Sequence, residues 1–197
     1  MNVTNDDAVQ SLAQVEQTIA KTRKAVAAAY SSPLLILWGL LLAAAYTATF
    51  LYVEYAAVIF WAMAVIGILA GLVVMRHIKR KLPVKEPAGE RIGLRIGAMW
   101  WSLFLYVFIW LSILVPLNGM QINAFIITAG MFGYIVLGLW LAAYFMVWLG
   151  LAVTAATLAG FFLLTPYYCL WMAVTTGGLI FATGLYLRIR WYNYGRD

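Results

Sequence analysis

Charge is scarce in this sequence. Only 10% of its 197 residues are Asp, Glu, Lys or Arg, where ordinary soluble domains carry about 25%. Between Pro33 and Arg188 the charges are confined to Glu54 and the stretch 76–95. A soluble surface cannot be covered with so few ionised groups, and a hydrophobic share of 65% with a mean hydropathy of +0.92 indicates a membrane protein. Cysteine is nearly absent: Cys169 stands alone, so these residues hold neither an internal disulfide nor a paired-thiol metal site. His77 is the only histidine. Apart from Arg76 and Arg95 at their ends, the apolar runs contain no Asp, Glu, Lys, Arg or His. Those residues mark proton relays, ion paths and coupled transport in membranes, and they supply the acid, base or metal that activates a nucleophile. Phosphate-cradling glycine loops, His-Glu-x-x-His and paired cysteines are also missing. No catalytic, metal or cofactor-binding residue is assigned, and a membrane enzyme is disfavoured.

What is present is long apolar text. It divides into runs at about 33–53, 57–76, 93–115, 122–141, 143–164 and 167–187, each close to the roughly 20 residues that carry a helix across the hydrocarbon core. Continuous runs of this kind favour helices over barrel strands, which alternate every second residue. The expected fold is therefore all-α: a polytopic membrane protein with a six-helix bundle over 33–187, preceded by an amphipathic helix within 1–32 and followed by a short tail, 188–197.

Lys and Arg collect on the cytoplasmic side of spans. With six spans all thirteen basic residues fall on one side: Lys21, Arg23 and Lys24 before the bundle, seven within 76–95, and Arg188, Arg190 and Arg196 after it. Both ends are then expected in the cytoplasm and the chain in a cell's inner membrane. The turn between spans four and five carries no basic residue; Trp140, Tyr144 and Trp148 mark it as an interfacial belt. Similar belts are read at Tyr52 and Tyr55, at Tyr167, Tyr168 and Trp171, and at Trp191, Tyr192 and Tyr194. The basicity is local to one membrane face, which excludes a nucleic-acid partner and makes the lipid bilayer the first one.

Within 76–95, Arg76, Lys79, Arg80, Lys81, Lys85, Arg91 and Arg95 are read as a topology and headgroup anchor. Pro83 disfavours helix at Leu82, so the second span is expected to run to about Lys81, and Pro87 suits the first turn of the next helix. His77 is a headgroup-facing neighbour of these cations, and Glu54 a solvated loop carboxylate.

Residues 5–30 read as one helix, opened by Asn5, Asp6 and Asp7, with no signal-peptide pattern. Leu12, Val15, Ile19 and Val26 form its large apolar stripe at heptad-like spacing. Three uses compete for this stripe: lying on the inner membrane surface, docking a protein partner or a second copy, or packing on the chain's own loop. Small residues are spaced for helix contact: Gly67 and Gly71, Gly93 and Gly97, and the ridge Ala152, Ala156 and Gly160.

The run "LAQVEQTIAKTRKAVAAAYSSPLLILWGLLLAAAY", a charged helix followed by Ser-Ser-Pro and an apolar span with Trp38-Gly39, resembles small prokaryotic polytopic inner-membrane proteins of unassigned function. The resemblance implies an inner-membrane location and no activity. The leading expectation is a non-enzymatic membrane component acting through a protein partner. The alternative is a permease-like subunit for an apolar or amphipathic substrate, since an inner helix, six spans and a cytoplasmic loop after span two resemble the membrane subunits of ABC exporters.

Overall fold

The structure, a computed structural model, describes residue 14 and residues 31–81 and 87–194. The helix expected within 1–32, with Leu12, Val15, Ile19 and Val26, lies outside the described residues, as does the turn 82–86 with Lys85. The described chain is all-helical. Helix α1 covers Ser31–Leu51. A single 3-10 turn, Val53–Tyr55, leads into α2 (Ala56–Lys81), followed by α3 (Pro87–Ile113), α4 (Gly119–Trp140) and α5 (Tyr144–Leu163). A second 3-10 turn, Thr165–Tyr167, opens α6 (Tyr168–Met172), which continues through a π turn, Ala173–Gly177, into α7 (Gly178–Tyr194).

Six helical segments are long and apolar enough to cross a membrane: Ser31–Leu51, Val53–Ile78, Gly93–Ile113, Gly119–Trp140, Tyr144–Leu163 and Thr165–Ile189. These fit a multi-pass membrane protein. Hydrocarbon offers no water to the backbone, so each crossing segment must satisfy its own N–H and C=O groups, which a helix does. The sixth segment, Thr165–Ile189 (span six), combines the 3-10 turn, α6, the π turn and most of α7. Because consecutive spans alternate in direction, the bundle has one end marked by Glu54 and another by Arg76 and Arg95. Helices α2 and α3 overrun the apolar core at the arginine end, stopping at Lys81 and starting at Pro87.

Local sequence explains the boundaries. Asn118 caps α4: its side chain accepts the Gln121 N–H at 2.8 Å, and the Gln121 side chain accepts the Asn118 N–H at 3.0 Å, a reciprocal capping box. This starts α4 three residues earlier than apolarity alone placed it. The α4 to α5 turn is closed by bonds from Ala143 N–H to the Gly138 carbonyl (2.8 Å) and from Ala142 N–H to the Leu139 carbonyl (3.2 Å). That is the Schellman pattern, but with alanine in the left-handed position: Ala142 has φ 52°, where glycine is the usual residue.

Four spans form the centre: α1, α4, α5 and span six. Tyr46, Val153 and Met172 are fully buried there, with Thr157 and Thr176. α1 runs antiparallel to span six at very close range. A Cβ added at Gly39 would lie 2.5 Å from the Phe181 nitrogen, at Gly177 2.9 Å from the Ala43 backbone, and at Gly184 2.7 Å from the Ile36 nitrogen. Only hydrogen fits at these crossings, the small-residue packing that joins helices in lipid. α4 and α5 also pack closely, with Gly138 against Met146 and Val147, and Gly150 against Ile135 and the Met131 carbonyl.

The other two spans are flanks. α2 lies on α1, with the Trp38 ring over Gly67, Leu34 at Gly71, and Phe60 edge-on to Tyr46 at 5.2 Å between ring centroids. α3 lies on α4, where Leu103 and Trp100 meet Gly133. Ile96 and Met99 of α3 also touch a small cluster of Leu137, Ala143 and Met146 near the arginine end. In the apolar window of α3 no residue is buried, against 33% in α1 and 39% in span six.

Candidate functional site

The most developed polar constellation lies inside the bundle, toward the Glu54 end. The Tyr46 hydroxyl of α1 donates to Asn123 Oδ1 at 2.8 Å, and the Tyr168 hydroxyl of span six donates to the same oxygen at 2.9 Å. One carboxamide on α4 thus joins three central spans. Helical geometry puts it there: Asn123 lies one turn into α4 after the Asn118 cap, and Tyr168 directly follows the 3-10 turn at Pro166. Each phenol would be costly to bury without an acceptor, and one amide oxygen with two lone pairs accommodates both. The two N–H donors of Asn123 lie on the other side of the carboxamide from that oxygen.

Thr49 stands one helical turn from Tyr46 on the same buried stripe of α1 (Leu35, Gly39, Leu42, Tyr46, Thr49). It is only 4% exposed. Thr47, Thr128, Thr157, Thr165 and Thr175 all return their hydroxyls to a backbone carbonyl one turn back, the usual solution for threonine in a helix. Thr49 does not. Its Oγ1 is the one buried side-chain polar atom without a hydrogen-bond partner among the described residues, a condition that costs about 1–3 kcal/mol.

At the arginine end α1 is tied again: Ser32 donates to the Gly184 carbonyl at 2.8 Å, and Tyr134 of α4 reaches the Ser31 side chain. Between the two ties, span six is irregular. The π turn Ala173–Gly177 lies opposite Ala43, with the Thr175 hydroxyl on the Trp171 carbonyl at 2.7 Å and Thr176 on the Met172 sulfur at 3.4 Å. Trp171 donates through Nε1 to the Ala156 carbonyl of α5 at 2.8 Å. All these groups are neutral. Among the described residues no three His, Cys, Asp or Glu side chains gather as a metal site.

The residues singled out from sequence are distributed as follows. Arg76, Arg80, Arg95 and His77 are exposed at one end; the side chains of Lys79, Lys81 and Arg91 lie outside the described ones. Glu54 is exposed in its 3-10 turn. Gly67, Gly71 and Gly160 are buried against Trp38, Leu34 and Trp171. Ala156 lends its carbonyl to Trp171 while Ala152 is exposed, so the expected ridge on α5 makes contact only toward its Glu54 end. Gly93 and Gly97 meet nothing within 4 Å. Trp140, Tyr144, Trp148, Tyr52, Tyr55 and Tyr167 are exposed. Tyr168 and Trp171 depart from the expected belt: one is buried on Asn123 and the other donates to Ala156. Asn123 and Tyr46 went unnoticed in the sequence, where the available signal was a carboxamide and a phenol set within otherwise apolar spans.

No protein-family model matches the chain, and no curated protein or solved structure matches it either.

Proposed function

We propose that the chain is a non-enzymatic component of the inner membrane, with both ends in the cytoplasm, that acts through a protein partner. The observation carrying this reading is the contrast between two glycine pairs of the same spacing. Gly67 and Gly71 of α2 are filled by Trp38 and Leu34 of α1, while Gly93 and Gly97 of α3 face open space among the described residues. Each glycine within a helix costs about 0.5–1 kcal/mol relative to alanine. On α2 close packing offsets that cost; on α3 nothing among the described residues does. A helix from a protein partner seated on the exposed side of α3 supplies the missing contact.

Photocrosslinkers at Leu94 and Ala98, beside the open pair, test this in native membranes. A discrete protein adduct that disappears on Gly97→Leu supports the reading. Capture of lipid alone, with no protein co-purifying, overturns it. The orientation rests on the one-sided distribution of basic residues. Glu54→Cys in a Cys169→Ser background should react with a membrane-impermeant maleimide from outside, and labelling from the cytoplasmic face alone would invert the topology. Neutral replacement of Arg76, Arg80 and Arg95 should disturb insertion through loss of headgroup anchoring.

The π turn within span six favours a second reading, a permease-like subunit for an apolar or amphipathic substrate. Single π turns inside helices are frequent at functional sites. An ATPase among the co-purifying proteins would select this reading over the first.

A further inference from the structure

Three observations converge at the Glu54 end of the bundle, independently of the partner reading. The Asn123 oxygen accepts from two phenols, and the same carboxamide carries two N–H donors. Thr49, one turn from Tyr46, keeps a buried hydroxyl that has no described partner. The buried cluster containing Tyr46 and Tyr168 is edged by Phe60, Met63 and Met120, which are only partly buried. Tyr46 lies five residues before the end of α1 and Asn123 four residues after the start of α4. Both therefore lie roughly 6–8 Å along the helix axes from the span ends.

We propose that this place binds one neutral, oxygen-bearing ligand. Its oxygen accepts from the Asn123 amide and exchanges a hydrogen bond with the Thr49 hydroxyl. The surrounding described groups are phenol, carboxamide, hydroxyl and apolar side chains, so nothing there compensates a charged ligand, whose burial is strongly unfavourable without a partner ion. Two sources share the required chemistry. One is a water molecule, the usual occupant where buried polar groups lack partners. The other is the carbonyl or ester oxygen of a neutral lipid.

The test uses the full chain purified in detergent as wild type, Thr49→Val, which removes the hydroxyl at constant shape, and Thr49→Ser, which keeps it. Bound neutral lipid is quantified by solvent extraction and mass spectrometry, and thermal unfolding is followed in parallel. A lipid present in wild type and Thr49→Ser but depleted about tenfold in Thr49→Val, on the scale of one lost hydrogen bond, identifies the lipid source. If no lipid is bound, a midpoint lowered by about 3 °C in Thr49→Val and restored in Thr49→Ser identifies water. A Thr49→Val protein at least as stable as wild type with unchanged lipid overturns the proposal, because the hydroxyl is then an empty orphan. So does a destabilisation that Thr49→Ser fails to restore, which reports packing alone.

Discussion

Two parts of this bundle use the same apolar alphabet in opposite ways. The central spans α1, α4, α5 and six touch one another through glycine at backbone distance and are tied by Tyr46, Asn123, Tyr168, Ser32 and Trp171. The flanks α2 and α3 each lean on one central helix and turn Trp61, Val58, Trp101, Leu105 and Phe108 outward. In water such faces would drive collapse. In lipid they are already solvated, so hydrophobicity does not distinguish centre from flank, and close packing with interhelical hydrogen bonds does.

The comparison is sharpest at glycine. Gly39→Ala puts a Cβ at 2.5 and 2.7 Å from the Phe181 backbone nitrogen and Cα, and a loss of about 3 kcal/mol is expected from such overpacking. Titration with a denaturing detergent measures it; wild-type stability would show that α1 and span six are not rigidly joined. Asn123→Leu strips the acceptor from two phenols and should cost about 2 kcal/mol. Restoration by a second change, Tyr46→Phe with Tyr168→Phe, would confirm that unsatisfied hydroxyls are the cause. The α4 to α5 turn should respond in the other direction. Ala142→Gly relieves a left-handed alanine at φ 52° and should stabilise by about 1 kcal/mol, read as a higher unfolding midpoint; no gain would mean that the turn relaxes when the bundle opens. On the flank, Trp101→Ala removes a side chain that is 79% exposed and should change stability by less than about 0.5 kcal/mol. A larger loss in native membranes than in detergent would show that α3 is covered there.

Much of the frame was legible because the membrane imposes it residue by residue. The basic stretch separated α2 from α3, and Pro83 and Pro87 placed the break: α2 stops at Lys81 and α3 starts at Pro87. The Asn118 cap shifted a boundary by one turn, since apolarity does not register a capping box. The aromatic belts were less legible. A tyrosine at a span end suits a headgroup or a buried acceptor equally well. Tyr167 is exposed and Tyr168 is buried, because adjacent residues on a helix point about 100° apart and Asn123 stands on only one of those sides. The π turn carried no composition signal that separates it from ordinary helix, and Ala142 occupies a position that sequence reading assigns to glycine.

The sequence by itself determined that the described chain is helical, that six segments can cross a membrane, and that basic residues stay out of the interiors of those segments. Hydrocarbon thickness, backbone hydrogen bonding and headgroup charge act on each segment separately, so those features need no knowledge of neighbours. Only the tertiary structure decided which four spans are central, which glycine pair is filled and which is open, and that Tyr46, Asn123 and Tyr168 meet across separations of 77 and 45 residues. In a uniformly apolar solvent every face of every span is tolerated. What joins one helix to another is the fit of a few small residues and the pairing of a few polar atoms, and those are properties of pairs of segments that no single segment contains.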